Sequence, residues 1–329
     1  MAFGHPGWQL ESNPFPSASV ALSPLSDSGQ LSYYFDFYEW RDTGRVAYID
    51  AQGRVQVFQL ASGPTMTFLI SGPTGCGRSS LENLILFELA QRSGEPLVVS
   101  QRLSLSAQDN FTRGTMLVQD LEDAVRQRSQ AVADTILSTF SRWQQLTPPG
   151  VQPDITNLLA RIRRNIEQGL PGAPIVVSFD ALDHSIGHDT GLEALEMVQG
   201  FADVAILSVT IPDHASFVRS RFSSRQRPVA WINAPRIQES AFRQYLERRM
   251  GAERAAGSTP PHATYPLSDE AISTLFAPAE GSGPVELSIR LAIQKLAGAL
   301  AYKERAMATS PTMSPQLDAE DVRRSFARQ

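Results

Sequence analysis

Gly72-Pro-Thr-Gly-Cys-Gly-Arg-Ser79 places three glycines, one guanidinium and one hydroxyl in a single short stretch. The spacing fits G-x-x-x-x-G-K-[ST], the pattern of a loop that cradles a polyphosphate, at every defined position but one. Arg78 stands where lysine is expected. In such a loop the glycines admit close backbone approach. Successive N–H groups and the positive end of the following helix then face the anion. Gly72, Gly75 and Gly77 suit the first task, and the hydroxyl of Ser79 suits a magnesium ion. Pro73, Thr74, Cys76, Arg78 and Ser80 complete the candidate contact set. Arginine keeps the charge, but a planar fork does not simply replace a compact ammonium between two phosphates. The alternative is a ligand-free, glycine-rich turn.

A second group of residues points to the same chemistry. Ile175-Val-Val-Ser-Phe-Asp180 reads as a buried strand ending in a carboxylate, followed by Ala181-Leu-Asp183. A strand-end aspartate downstream of a phosphate loop organises magnesium, usually through water, so Ser79 and Asp180 are the metal candidates. Ala181 occupies the position where a glutamate orients water in many ATPases, and Asp183 is the nearby acidic alternative. His184 and His188 have no accompanying ligand cluster and read as loop histidines.

The elements that must position these groups follow from the hydrophobic pattern. Thr67–Ile70 reads as a short buried strand before the loop, and residues 80–92 as an amphipathic helix after it. Residues 96–100, 175–179, 204–210 and 229–232 are further strand candidates, with helices at 154–170 and 191–202. Residues 101–150 are partly helical, at 131–145. Apolar strands alternating with helices imply a parallel sheet covered on both faces. After Pro235 the pattern is helical only, at 239–250, 269–276, 285–306 and 318–327. Ahead of the core, residues 1–30 are rich in Pro, Ser and Gly and read as an extended arm. Residues 45–58 alternate around Asp50-Ala-Gln-Gly53 as a hairpin.

Composition narrows the class. The 329 residues are 42% hydrophobic and 19% charged, ordinary for a folded chain with room for two domains. A net charge of -5 supplies no global attraction to nucleic acid or acidic membranes. No apolar run approaches the ~18 residues that span a bilayer, and the N-terminus lacks a secretory signal pattern. A single cysteine, Cys76, excludes an intrachain disulfide and suits a cytoplasmic setting.

Taken with these motifs, residues 13–329 resemble the AAA+ ATPases, nearest the branch holding replication initiators, ExeA-type transposition regulators and STAND NTPases. Asn13-Pro-Phe-Pro16 resembles the arm of the ExeA-like group, and Asp180-Ala-Leu-Asp183 the second acidic motif of the STAND group. The resemblance implies a polar sensor after the next strand, with Thr210 the first candidate and Ser208 the second. Val218-Arg-Ser-Arg-Phe222 resembles the segment that carries an arginine finger toward a neighbouring subunit. Arg221 is then the finger, and Arg219 or Arg225 the alternates. A solvated basic helix end and a DNA-phosphate patch are competing readings of the same residues. Gly281–Leu287 resembles the turn before a second sensor arginine; the expected position holds Val285, with Arg290 further along.

The fold expected from these readings is an α/β P-loop NTPase sandwich with a parallel sheet, followed by a small all-α AAA+ lid. Its divisions are an arm (1–30), a hairpin extension (31–62), a nucleotide-binding core (63–235) and the lid (236–329). ATP or ADP with Mg²⁺ is the implied cofactor. Arg78, Ala181 and the missing sensor arginine together favour an ATP-dependent oligomerising switch or scaffold, homo- or hetero-oligomeric, with hydrolysis slow or lost. An active DNA-associated ATPase and a subunit that binds no nucleotide are the alternatives.

Overall fold

The computed structural model describes residues 6–10, 39–40, 47–49, 55–57, 66–79, 81–82, 85–86, 96–102, 110–146, 155–180, 201–223, 229–233, 236–277, 287–310 and 312–326. Ser80, Ala181, Asp183, His184, His188, Arg225 and Val285 lie outside these residues, as do residues 191–200 of the helix expected at 191–202 and the side chains of Asp180 and Arg221.

The apolar runs become strands β4 (Met66–Ser71), β5 (Leu97–Arg102), β6 (Ile175–Asp180), β7 (Val204–Val209) and β8 (Val229–Asn233). With the short β1 (Glu39–Trp40) at one edge, they form a sheet in the order β1-β8-β4-β7-β6-β5. The five strands from β8 to β5 all run parallel. Every residue of β7 is buried, as a central strand covered on both faces requires. The hairpin expected around Gly53 is present as β2 (Ala47–Ile49) against β3 (Val55–Val57), with Ile49 opposite Val55.

The chain divides into two compact units, one formed by residues 40–72 and 85–233, the other by 1–39, 73–84 and 234–329. In the first, the sheet is accompanied by helices α1 (Asn110–Arg126), α2 (Gln130–Leu146), α3 (Ile155–Gly169) and α4 (Pro212–Ser223). Leu158, Ile162 and Ile166 give α3 a buried stripe that shares one core with Val177, Phe179 and Leu207 of the sheet. The helices approach closely: a Cβ at Gly114 would collide with the Ile155 side chain. Arg163 fixes α3 to the start of β7, donating to the carbonyl of Phe201 and to Asp203, each at 2.6 Å.

The second unit contains α5 (Glu239–Ala252), α6 (Asp269–Leu275), α7 (Ile289–Thr309) and α8 (Ala319–Phe326) around Phe242, Leu246, Ile272, Leu296 and Leu300. Helix α7 begins later than its hydrophobic pattern suggests. Leu287 is held in an extended bridge with Ile237, and Ser288 caps the helix by accepting from Leu291 N. The buried Lys303 ammonium lies 2.6 Å from Asp321 and joins α7 to α8. Pro6–Leu10, inside the stretch read as an extended arm, is built into this core. Trp8 and Leu10 are fully buried, the Trp8 indole donates to Pro315 O at 2.8 Å, and Arg254 donates to Trp8 O at 2.9 Å. An indole surrounded by apolar side chains with its N–H satisfied is a strong anchor. No helix among the described residues is long and apolar enough to cross a membrane.

Candidate functional site

Parallel pairing brings the C-terminal ends of β4 to β8 to one edge of the sheet, and that edge carries the chemistry. Strand β4 hands the chain on toward β5 on one side, whereas β7 hands it on toward β8 on the other. Right-handed crossovers then put the two connections on opposite faces. The ends of β4 and β7 are therefore a topological switch point, the place where open α/β sheets bind ligands. The phosphate-loop motif starts there: Gly72 follows β4, and its N–H donates to Val209 O at 3.1 Å. The register places Ile70 beside Ser208, and one further step beyond the Phe179–Leu207 pair sets Asp180 level with Ser208. Thr210 stands half-buried just past the end of β7, while Ser208 is buried within the strand. Sequence reasoning missed Ser71, Trp231 and Asn233 on this edge. Trp231 Nε1 donates to Ser71 Oγ at 2.8 Å and Ser71 Oγ to Asn233 Oδ1 at 3.1 Å.

Residues 73–79 belong to the second unit. Gly75 and Gly77 have φ of 82° and 96°, left-handed values that favour glycine. Cys76 N donates to Pro73 O to close a turn, and Leu81 N to Gly77 O makes the opening helical bond. The loop therefore passes directly into the end of a helix that favours negative charge. Within the same unit the start of α7 packs on the loop. Arg290 N donates to Gly75 O at 3.1 Å, and a Cβ on Gly75 would lie 3.0 Å from Ser288 Oγ and 3.2 Å from Arg290 Cβ. The sequence offered Arg290 only as a displaced sensor candidate; the fold puts its backbone in contact with the loop, and Ser288, the cap beside it, carried no sequence signal.

Burial pushes the Cys76 thiol up to about 11, against the opposing charges of Arg78 and Arg290. Both guanidinium charges are felt at Cys76. Arg78 Nη1 is buried with no hydrogen-bond partner among the described residues. A buried cationic donor without an acceptor is costly unless an anion meets it. Together with two left-handed glycines and a helix start, it fits a polyphosphate better than an empty turn. Ser79, the next residue, is exposed. Among the described residues there is no group of three or more His, Cys, Asp or Glu side chains that could hold a metal ion.

Of the arginine-finger candidates, Arg221 falls in the last turn of α4, and Arg219, half-buried, has its guanidinium carbon 5.8 Å from the centre of the Trp231 ring. Arg219 is thus engaged with its own sheet.

Fold and loop together define an α/β protein whose central parallel strand ends in a phosphate-loop motif and which carries an all-α C-terminal unit. No family model matches the chain, and no curated protein does. Among solved structures it is similar to the ORC1 protein of Aeropyrum pernix in complex with DNA, with a TM-score of 0.45 and 15% identity over 82% of this chain. It spans 61% of that chain's length. It is also similar to a structure from an E. coli MS115-1 HORMA:CdnC:Trip13 complex (TM-score 0.37, 10% identity, 81% of this chain and 74% of that one). A third similarity is to a structure of katanin solved for its self-assembly (TM-score 0.39, 13% identity, 96% and 85%).

Proposed function

We propose that this chain is an AAA+-like nucleotide-binding protein that uses Mg²⁺-ATP as a structural or switching element in an oligomer, with hydrolysis slow or lost. The observation that carries the reading is the buried Arg78 Nη1, without a hydrogen-bond partner among the described residues, in a loop whose Gly75 is bonded to the start of α7. Bound Mg²⁺-ATP would supply a triphosphate charge and a divalent cation to neutralise it. Gly72–Ser80 would hold the phosphates through backbone N–H groups and the Arg78 guanidinium, and Ser79 with Asp180 would contribute to the metal. Because Arg290 N grips Gly75 O, a change in loop geometry is felt at once by α7. That is the differential contact a ligand needs in order to shift a conformational equilibrium.

Slow hydrolysis follows from side-chain chemistry. Arg78 is a poorer fit than lysine between phosphates, and Ala181 supplies no base for an attacking water. Asp183 and Thr210 remain the proposed water-orienting groups, and Arg221 the proposed contact to a neighbouring subunit. The test is capture of nucleotide from labelled ATP and magnesium by the purified protein. Intact ATP on the protein, lost in Arg78→Ala, is the expected result. Recovery as ADP would replace the switch with a working ATPase. DNA binding that weakens steeply with salt would favour the DNA-associated reading. Absence of captured label at millimolar ATP would leave a subunit that binds no nucleotide.

A further inference from the structure

The feature that the nucleotide-binding reading does not use is the bonded group at the end of β4. The parallel register sets Leu69 opposite Trp231 and Ser71 opposite Asn233. Alternation along the strands then puts Leu69, Ser71, Trp231 and Asn233 on one face of the sheet. Ser71 is fully buried; its hydroxyl takes the indole N–H of Trp231 at 2.8 Å and gives its proton to Asn233 Oδ1 at 3.1 Å. Both bonds fix the serine rotamer. The next residue, Gly72, is tied to β7 through its N–H on Val209 O. Strand β8 thus grips the last residue of β4 through side chains, while β7 grips the first residue of the phosphate-loop motif through the backbone.

The other end of this group is helix α4. Ala215 and Val218 anchor α4 in the core against which Trp231 packs, and the Arg219 guanidinium carbon lies 5.8 Å from the Trp231 ring centre. That distance is within cation–π range. Arg221 follows two residues later on the same helix. Packing alone would be served by phenylalanine at 231; the indole N–H is what reaches Ser71.

We propose that Trp231, Ser71 and Asn233 are positioning residues that tie the start of the phosphate loop to helix α4. Displacement of α4, which carries the arginine-rich segment, then changes nucleotide affinity. This rests on the reading of residues 72–80 as the nucleotide site. By reciprocity, nucleotide binding would bias the position of α4 by the same factor.

The test compares Trp231→Phe, which keeps the ring and removes the donor, with Arg219→Gln, the double variant, and Trp143→Phe on α2 as a Trp-to-Phe control on another element. Affinity for a fluorescent ATP analogue with Mg²⁺ and hydrogen exchange at the Gly72 amide are both read. The expected result is affinity weakened about 5- to 30-fold in Trp231→Phe and faster exchange at Gly72. Arg219→Gln weakens affinity less, the double variant no more than Trp231→Phe alone, and Trp143→Phe matches the wild type. Such non-additivity is what a shared path produces and general destabilisation does not. Wild-type affinity and unchanged Gly72 exchange in Trp231→Phe would overturn the relay, as would full additivity of the two variants. Should Trp231→Phe fail to fold, Arg219→Gln decides alone: unchanged affinity and Gly72 exchange overturn the proposal. If the wild-type protein itself binds no analogue, the nucleotide reading fails. The tie between α4 and Gly72 is then judged on exchange alone, where unchanged exchange in Trp231→Phe refutes it.

Discussion

Replacing Gly75 with alanine isolates the contact on which the functional reading depends. At φ of 82° an L-residue carries a backbone cost of about 1–2 kcal/mol. The new methyl would also sit 3.0 Å from Ser288 Oγ, 3.2 Å from Arg290 Cβ and 3.3 Å from Ser288 Cβ. These atoms belong to the capped start of α7, whose Arg290 N is bonded to Gly75 O, so they cannot retreat without loosening that bond. Overpacking of this kind costs about 1–3 kcal/mol beyond the backbone term. Gly257 is the matched control: it lies in the same unit at φ of 75°, and its Cβ would meet nothing within 4 Å. Gly257→Ala therefore reports the backbone cost alone. The expected difference between the two variants is about 1–3 kcal/mol in chemical denaturation followed by circular dichroism. If nucleotide binding requires the native loop, the same energy appears as ATP affinity weakened roughly 5- to 150-fold in Gly75→Ala only. Equal stability losses and equal affinities in the two variants would refute the claim that α7 clasps the phosphate loop.

Four further outcomes follow from the same structure. Cys76, the single cysteine, is pushed up to about 11 by burial, so its thiolate fraction at pH 8 is about 200-fold below that of an ordinary thiol. Iodoacetamide labelling followed by intact mass should be correspondingly slow and should accelerate about tenfold per pH unit; rapid labelling at pH 7 would contradict the burial. Lys303→Met leaves Asp321 buried without its cation, with an expected loss of about 3–5 kcal/mol that Lys303→Met/Asp321→Asn partly restores, read by thermal melting. Burial works to raise the Glu239 carboxyl, but the Ser273 hydroxyl and Arg243 outweigh it and hold it low. Its contribution is therefore complete above the ordinary glutamate value of ~4.3 and is lost as pH falls through the lower folded value; Glu239→Gln should flatten the acid limb of the stability profile. Trp8→Ala empties a fully buried site and should cost about 3–5 kcal/mol, with faster exchange in α5 to α8 rather than in the sheet.

The class of fold was written locally. Continuous apolar runs such as Val204–Val209 have only one economical setting, the interior of a parallel sheet, and all five such runs became its strands. The helical character of the C-terminal part was equally plain, because α7 buries a single stripe of apolar residues at helical spacing. The phosphate-loop motif needed no tertiary information either, since its glycines and hydroxyl are neighbours in the chain. Local pattern was less exact at boundaries: α7 starts at Ile289 because the Leu287–Ile237 bridge competes with helix formation, a pairing across fifty residues that periodicity does not register.

What the tertiary structure alone decided is which distant residues serve these local elements. Nothing near Trp8 in the sequence indicates that its partners are Arg254 and Pro315. Strand order, fixed by burial of the whole sheet and the handedness of its crossovers, made Ser71 the neighbour of Asn233 and brought Trp231 onto it. In the other unit, packing of α7 gave Gly75 its partner in Arg290. Side-chain type and short spacing determine what a segment can form. The partner of each polar group is settled only when the apolar faces of every element are buried together, because a hydrogen bond in the interior goes to whichever donor and acceptor that packing leaves within reach.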